Sequence, residues 1–188
     1  MDKILFINAC VRPNSRTLEL ANYALKKLSG EIEEVKLYEK ELLPLDLKGM
    51  QIRQDASQNK DFSNSIFDLA KQFSKADIIV IAAPYWDLMF PSILKNYIEN
   101  ITVGGLTFVY GQNGKPQSLC NAKKLIYVTT AGGPIIHNFG YEYVSALAKG
   151  FFGIEEVELI KAEGLDIYGA DVEKIMAEAK NKFNKLVL

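Results

Sequence analysis

The stretch that decides the fold is DIIVIAA at residues 77–83, which continues directly into PYWDLMFP at residues 84–91. The first part is apolar almost throughout, which is typical of a strand covered on both faces of a parallel sheet. KILFINA at residues 3–9 and KLIYVTT at residues 124–130 have the same character. The sequence therefore predicts a buried parallel sheet with residues 77–83 as its central strand.

Helical patterns alternate with these strands along the whole chain. The predicted strands are 3–9, 34–38, 77–83, 124–130 and 157–162, and apolar stripes at helical spacing follow within 18–28, 62–73, 94–101, 141–151 and 171–188. Alternation of this kind predicts an α/β fold in which right-handed crossovers place helices on both faces of the sheet. We expect one domain spanning residues 1–188, with five strands and five helices.

Two stretches fall outside this alternation. Residues 40–60 are polar, with Pro44 and Gly49, and are expected to run over the surface of the protein. Their conformation cannot be predicted from the sequence. Residues 104–119 contain two short extended pieces around Asn113-Gly114, which is a turn signal. The second stretch is therefore predicted to be a hairpin-like excursion.

Composition excludes several classes of protein. The chain has 188 residues, with 22 basic and 23 acidic side chains, and a net charge of -1 argues against a general nucleic-acid binder. Two cysteines and one histidine are too few for a structural zinc site or a disulfide scaffold. The N-terminal apolar run is too short for a signal peptide or a spanning helix. We expect a cytoplasmic protein without membrane or nucleic-acid partners.

Ligands of doubly wound sheets bind beyond the carboxyl ends of the strands, where the strand order reverses. This rule selects three loops: residues 10–17, 84–90 and 130–138. Each of them has an unusual composition, so we expect the functional residues to lie there.

The first loop, CVRPNSRT at residues 10–17, leads into a helix whose first amides are unpaired donors. Ser15 and Thr17 add hydroxyl groups, and Arg12 and Arg16 add positive charge, so a phosphate could bind here. The alternative is that Ser15 only caps the helix. Neither GxGxxG nor GxxxxGK[ST] is present, which disfavours a dinucleotide Rossmann site and a P-loop.

The second loop, PYWDLMFP at residues 84–91, places three aromatic residues and a methionine where a strand ends. Flat apolar groups could form one side of a site for a planar conjugated ring. They could equally cover the core or an oligomer interface. Asp87 could act as a general acid, although a turn residue is its more common role.

The third loop contains TAGGP at residues 130–134, in which paired glycines allow close backbone approach and expose amides. Such amides could stabilise negative charge on a ring edge, or the loop could be a plain turn. His137 could donate to a substrate, or simply lie on the surface or cap a helix. Cys10 and Cys120 are expected to pack, because no neighbour clearly makes either a thiolate.

Three motifs resemble those of the FMN-dependent NADH-azoreductase and quinone-reductase family, which has the flavodoxin-like fold. They are a strand ending in the Pro-aromatic turn at Pro84, LKNY at residues 94–97, and GLTFVY at residues 105–110. The later TTAGG, residues 129–133, resembles a further loop of that family. The resemblance extends over nearly the whole chain.

The resemblance implies a three-layer sandwich whose five-stranded parallel sheet has the order 2-1-3-4-5. It also implies an FMN-binding homodimer with the flavin near the subunit interface. Together with the loop compositions, it makes the following residues candidates for cofactor binding: Cys10, Arg12, Ser15, Arg16, Thr17, Pro84, Tyr85, Trp86, Asp87, Leu88, Thr130, Ala131, Gly132 and Gly133. Phe108 and His137 are the candidates for substrate contact. Asp87 and Ala131 stand where the family usually has Asn and often has Arg, so they are expected to bear on substrate choice and flavin potential.

The expected activity is hydride transfer from NADH or NADPH through FMN to quinones, azo compounds or other flat aromatic acceptors, with ping-pong kinetics. The flavin carries this chemistry, so no catalytic side chain and no metal are expected. The alternatives are a non-catalytic flavodoxin-like electron carrier and a regulator built on the same fold, with or without flavin.

Overall fold

The computed structural model describes residues 1–187. Seven strands and six α-helices follow one another in these residues: β1 (Lys3–Asn8), α1 (Arg16–Leu25), β2 (Glu31–Lys36), α2 (Leu47–Asn59), α3 (Asp68–Lys75), β3 (Ile78–Ala82), α4 (Ser92–Ile101), β4 (Phe108–Tyr110), β5 (Pro116–Ser118), β6 (Lys124–Thr130), α5 (Phe139–Gly150), β7 (Glu156–Ala162) and α6 (Val172–Val187). Single 3-10 turns precede α3 and follow β2.

The main sheet has five parallel strands in the order β2-β1-β3-β6-β7. Numbered within the sheet, this is the predicted order 2-1-3-4-5, and the prediction of a parallel α/β fold is confirmed. Since every strand runs in the same direction, their carboxyl ends share one edge. The loops that follow β1, β3, β6 and β7 therefore meet there.

The strands β1, β3 and β6 bury alternate residues on opposite faces of the sheet. One face, which includes Leu5, Ile81 and Tyr127, packs in a cluster with residues of α3, α4 and α5. The other face, which includes Phe6 and Val128, packs against α1 and α6. The unbroken apolar runs of β1, β3 and β6 follow directly from this coverage on both sides.

Residues 40–60, whose conformation the sequence left open, contain α2 at 47–59, so the prediction of five helices is wrong and residues 1–187 contain six. Asp46 caps this helix by accepting a hydrogen bond from the Gly49 amide at 2.7 Å. Arg53 donates to the carbonyls of Glu99 at 2.9 Å and Asn100 at 3.2 Å, at the end of α4. This long-range contact holds α2 in place, and the helix lacks the apolar periodicity that would have predicted it.

The hairpin within 104–119 is confirmed, since β4 and β5 pair antiparallel. Gly114 lies in its turn with φ 72°. Pro91 is the N-cap of α4 rather than its first helical residue, a shift of one position. The predicted end of the last helix, Leu188, lies outside the described residues.

None of the helices within residues 1–187 combines the length and the apolar character needed to cross a membrane.

Candidate functional site

A cavity of about 400 Å³ opens at the carboxyl edge of the sheet, in the size range of small-molecule sites. It lies among the loops after β1, β3, β6 and β7. Its lining residues are Val11, Arg12, Asn14, Ser15, Arg16, Thr17, Pro84, Tyr85, Trp86, Thr130, Ala131, Gly132, Leu165 and Asp166. The structure thus brings all three predicted loops together around one space.

The start of α1 forms one wall of this cavity. Ser15 is the N-cap, and its Oγ accepts a hydrogen bond from the Leu18 amide at 3.3 Å. The amides of Arg16 and Thr17 have no acceptor among residues 1–187. Ser15 therefore caps the helix and lines the cavity at the same time, and two amides at the positive end of the helix remain available to an anion.

Thr17 and Thr130 join α1 to the end of β6. Their hydroxyl oxygens lie 2.6 Å apart, and the two residues are 1% and 9% exposed. In such a pair one hydroxyl donates to the other, so the second hydroxyl keeps its hydrogen for another acceptor. The pair fixes two of the cavity loops relative to each other and offers one donor at their junction.

Thr17→Val is expected to lower the free energy of unfolding by about 1–3 kcal/mol, because it leaves the Thr130 hydroxyl buried without its partner. Chemical denaturation of the variant measures this loss. The double variant Thr17→Val/Thr130→Val is the control, since it removes both polar groups and should recover most of the stability. If the two single losses simply add in the double variant, the hydroxyl pair is not what stabilises this junction.

The loop after β3 is a tight two-residue turn. Trp86 and Met89 pair through two backbone hydrogen bonds of 3.1 and 2.8 Å. Asp87 and Leu88, between them, have φ values of 50° and 66°. Turns of this kind usually carry Asn-Gly, and a leucine in the left-handed region costs about 1–3 kcal/mol. The chain therefore maintains a strained turn beside the cavity, and Trp86 is 42% exposed there.

Tyr85 connects this turn to the loop after β6. Its amide donates to the Thr130 carbonyl at 3.0 Å, and its hydroxyl donates to the His137 carbonyl at 2.8 Å. Glu163 anchors the same loop, because its carboxylate accepts from the Ile135 amide at 3.0 Å. The amides of Gly132 and Gly133 have no acceptor within the described part of the chain. These contacts leave two glycine amides available on a loop that is held at both ends.

The loop after β7 is a fourth wall that the sequence analysis missed. The amides of Leu165 and Asp166 donate to the carbonyls of Ala131 and Gly132 at 3.2 and 2.9 Å, so this loop lies beside the glycine pair. The Asp166 carboxylate lies 2.7 Å from the Arg16 guanidinium. The rule that selected the other loops also applies to the strand next to β6, and it would have found residues 163–167.

The predicted cofactor residues divide into two groups. Those that line the cavity are Arg12, Ser15, Arg16, Thr17, Pro84, Tyr85, Trp86, Thr130, Ala131 and Gly132. Cys10, Asp87, Leu88 and Gly133 lie in the same loops but do not line it. Val11, Asn14, Leu165 and Asp166 line it and were not predicted.

The two predicted substrate residues, Phe108 and His137, do not line the cavity either. Phe108 is 8% exposed, and its ring centre lies 5.0 Å from that of Phe151. Tyr110 lies on the same side of β4, two residues further along, and its ring packs edge-on against that of Phe108 at 5.4 Å between centres, but it is exposed to solvent. His137 is exposed and stacks on Phe139 with ring centres 5.3 Å apart. Within this chain, neither residue is placed to touch a ligand in the cavity.

Neither cysteine is placed for nucleophilic chemistry. Burial raises the pKa of the Cys10 thiol to about 11, and burial raises that of Cys120 to about 12. Both groups are therefore protonated thiols at neutral pH, in agreement with a packing role.

Iodoacetamide is expected to alkylate the folded protein at pH 7.5 at least about tenfold more slowly than the unfolded chain, because a thiol with a raised pKa holds little thiolate. Mass spectrometry of a time course measures both rates. The urea-unfolded protein is the control. Rapid labelling of Cys10 in the folded state would contradict the protonated, buried thiol.

The sequence profile of the family described as Flavodoxin-like fold matches residues 2–187. The chain is 35% identical over 200 residues to a protein of Coprothermobacter proteolyticus named FMN-dependent NADH:quinone oxidoreductase, covering 99% of this chain and 98% of that protein. It is 35% identical over 196 residues to a protein of the same name from Lachnoclostridium phytofermentans, covering 97% and 96% of the two chains. The crystal structure of an azoreductase from Bacillus anthracis superimposes with a TM-score of 0.86 at 25% identity, over 100% of this chain and 99% of that one. The chain therefore belongs to the flavodoxin-like family that includes the FMN-dependent NADH:quinone oxidoreductases.

Proposed function

We propose that this protein is an FMN-dependent oxidoreductase that passes electrons from NADH to quinones or azo compounds. The observation that carries the proposal is that the start of α1 and the turn between Trp86 and Met89, called the Trp86 turn, meet at one cavity. The names of its relatives support the same activity.

The residues present fit a flavin mononucleotide. The polar end of the cavity has the amides of Arg16 and Thr17, the guanidinium groups of Arg12 and Arg16, and the start of a helix, a donor set suited to phosphate. The other end has Pro84, Tyr85 and Trp86, which suit an aromatic plate. The acidic phosphate of FMN thus suits the polar end of the cavity, and its flat ring suits the aromatic end.

FMN bound in this cavity would supply the hydride-transfer chemistry between NADH and the acceptor. The start of α1 would hold its phosphate, and Trp86 would form part of the surface that holds its ring. Gly132 lines the cavity, and its free amide could donate to an electron-rich ring edge and stabilise negative charge there. Both cysteines are held as thiols by burial, which raises their pKa, so neither supplies a thiolate nucleophile at neutral pH.

A pure electron carrier and a regulator are less well supported, because the relatives named above are enzymes. We assign residues 1–188 to one domain that works as a homodimer in the cytoplasm, without nucleic-acid or membrane partners. Exposed apolar side chains on the loops that form the cavity, including Trp86 at 42% and Ile136 at 73%, favour coverage of these loops by a second subunit. Two free cysteines suit a reducing compartment.

Absorption spectroscopy tests the proposal. Purified protein incubated with FMN and then desalted is expected to remain yellow, to bleach on addition of NADH, and to regain its colour when a benzoquinone is added anaerobically. NADPH in a parallel experiment gives the preference between the two reductants. A colourless protein that cannot be loaded, or a loaded one that oxidises no NADH with any quinone or azo dye, would overturn the proposal.

A further inference from the structure

The cavity described above contains one feature that opposes its ligand. The Asp166 carboxylate lies on the wall of a site that otherwise offers arginine side chains and free amides. A phosphate monoester carries a charge of about -1.5 to -2 at neutral pH, so a carboxylate beside it is unfavourable.

The contacts of Asp166 place its carboxylate between α1 and the loop after β6 that carries Gly132. Oδ1 accepts from Nη1 of Arg16 at 2.7 Å, and the same nitrogen also donates to the Leu165 carbonyl at 3.3 Å. Oδ2 lies close over Gly132, because a Cβ atom built on that glycine would be 2.3 Å from it. The carboxylate therefore occupies the gap between Arg16 and Gly132, along the border of the cavity.

The ion pair is exposed, with 40% of the Arg16 side chain and 71% of the Asp166 side chain accessible to solvent. Ion pairs of this kind are weak and are readily exchanged for another partner. A phosphate at the α1 start is a stronger partner for a guanidinium than a single carboxylate, because it has more charge and can accept bidentate hydrogen bonds. Arg16 can thus serve either anion, but Asp166 has no other cation among its contacts in residues 1–187.

The geometry points to Asp166 as a competitor for Arg16 that weakens and tunes phosphate binding. The inference rests on the proposed function, since it concerns the phosphate of FMN. Arg16 pairs with Asp166 when the site is empty and turns to the phosphate when the ligand binds. The affinity for FMN therefore depends on how much more strongly the Arg16 guanidinium binds the phosphate than it binds the Asp166 carboxylate.

Titration of the apoprotein into FMN, followed by quenching of the flavin fluorescence, tests this role without any turnover. Asp166→Asn is expected to lower the Kd for FMN about fivefold, the ratio that corresponds to an exposed ion pair near the top of its range. The Kd for riboflavin, which lacks the phosphate, is expected to stay unchanged. Asp68→Asn is the matched control, because Asp68 forms a 2.7 Å ion pair of similar exposure with Lys71 away from this cavity.

The same titration in an Arg16→Gln background separates competition from plain repulsion. If Asp166 acts by holding Arg16, its replacement by Asn has little effect once Arg16 is gone. A gain of equal or greater size in that background would show direct repulsion of the phosphate and overturn the inference. So would an unchanged or raised Kd for Asp166→Asn, or an equal gain for riboflavin. Failure of the wild-type protein to bind FMN would instead overturn the proposed function.

Discussion

Gly140→Val is expected to lower the free energy of unfolding by about 3 kcal/mol, at the upper end of the usual cost of overpacking a core. Gly140 lies in the first turn of α5, where the helix passes over the Trp86 turn and β6. A Cβ atom built there would lie 2.9 Å from Oη of Tyr127, 3.0 Å from Cδ1 of Phe90 and 3.4 Å from the Met89 carbonyl carbon. Tyr127 and Phe90 are only 1% and 5% exposed, so neither ring can move aside at low cost.

Gly150→Val is the matched control for this prediction, because it lies in the same helix and a Cβ atom there meets nothing within 4 Å. We expect it to change stability by less than about 0.5 kcal/mol. Urea denaturation of both variants measures the difference. Equal stability of the two variants would show that α5 can shift away from the Trp86 turn, and that close packing at Gly140 does not fix this part of the site.

Trp86→Ala is expected to weaken FMN binding and to lower quinone turnover by at least about tenfold, equivalent to about 1.4 kcal/mol. Its side chain is 42% exposed on the cavity wall, whereas its backbone makes the hydrogen bonds of the turn. Removal of the indole therefore takes away a flat surface for the ring and leaves the turn intact. The free energy of unfolding should change by less than about 1 kcal/mol, as is usual for surface positions.

Trp86→Phe is the control, because it keeps an aromatic plane and should retain most of the affinity. Fluorescence titration with FMN and thermal unfolding of the apoprotein give the two quantities separately. A large loss of stability in Trp86→Ala, with normal flavin affinity in the remaining folded fraction, would mean that the indole covers the core and is not part of the binding site.

The strands and their order could be predicted because β1, β3 and β6 are apolar on both faces, a pattern that few other structures require. α2 could not be predicted, since Arg53 holds it by donating to the carbonyls of Glu99 and Asn100, which lie 46 and 47 residues further along the chain. Such contacts leave no local signature in the sequence.

In the candidate site, too, some features follow from local sequence patterns and others depend on long-range contacts. The rule for parallel sheets selected the loops that form three of its walls, and their composition indicated a phosphate end and an aromatic end. The pairing of Thr17 with Thr130 and the burial of Phe108 depend on how distant elements pack, so no motif could reveal them. The ion pair between Arg16 and Asp166 joins residues 150 positions apart and was missed for that reason.

The walls of the cavity come from four segments spread between residues 10 and 167, and the last of them follows β7. A ribosome must therefore synthesise nearly the whole chain before Asp166 and Leu165 can reach α1. Nascent chains that stop before residue 163 lack the loop after β7 and cannot complete the pocket. Completion of the pocket is thus a late event in biogenesis, and a product of translation truncated there would have only three of its four walls.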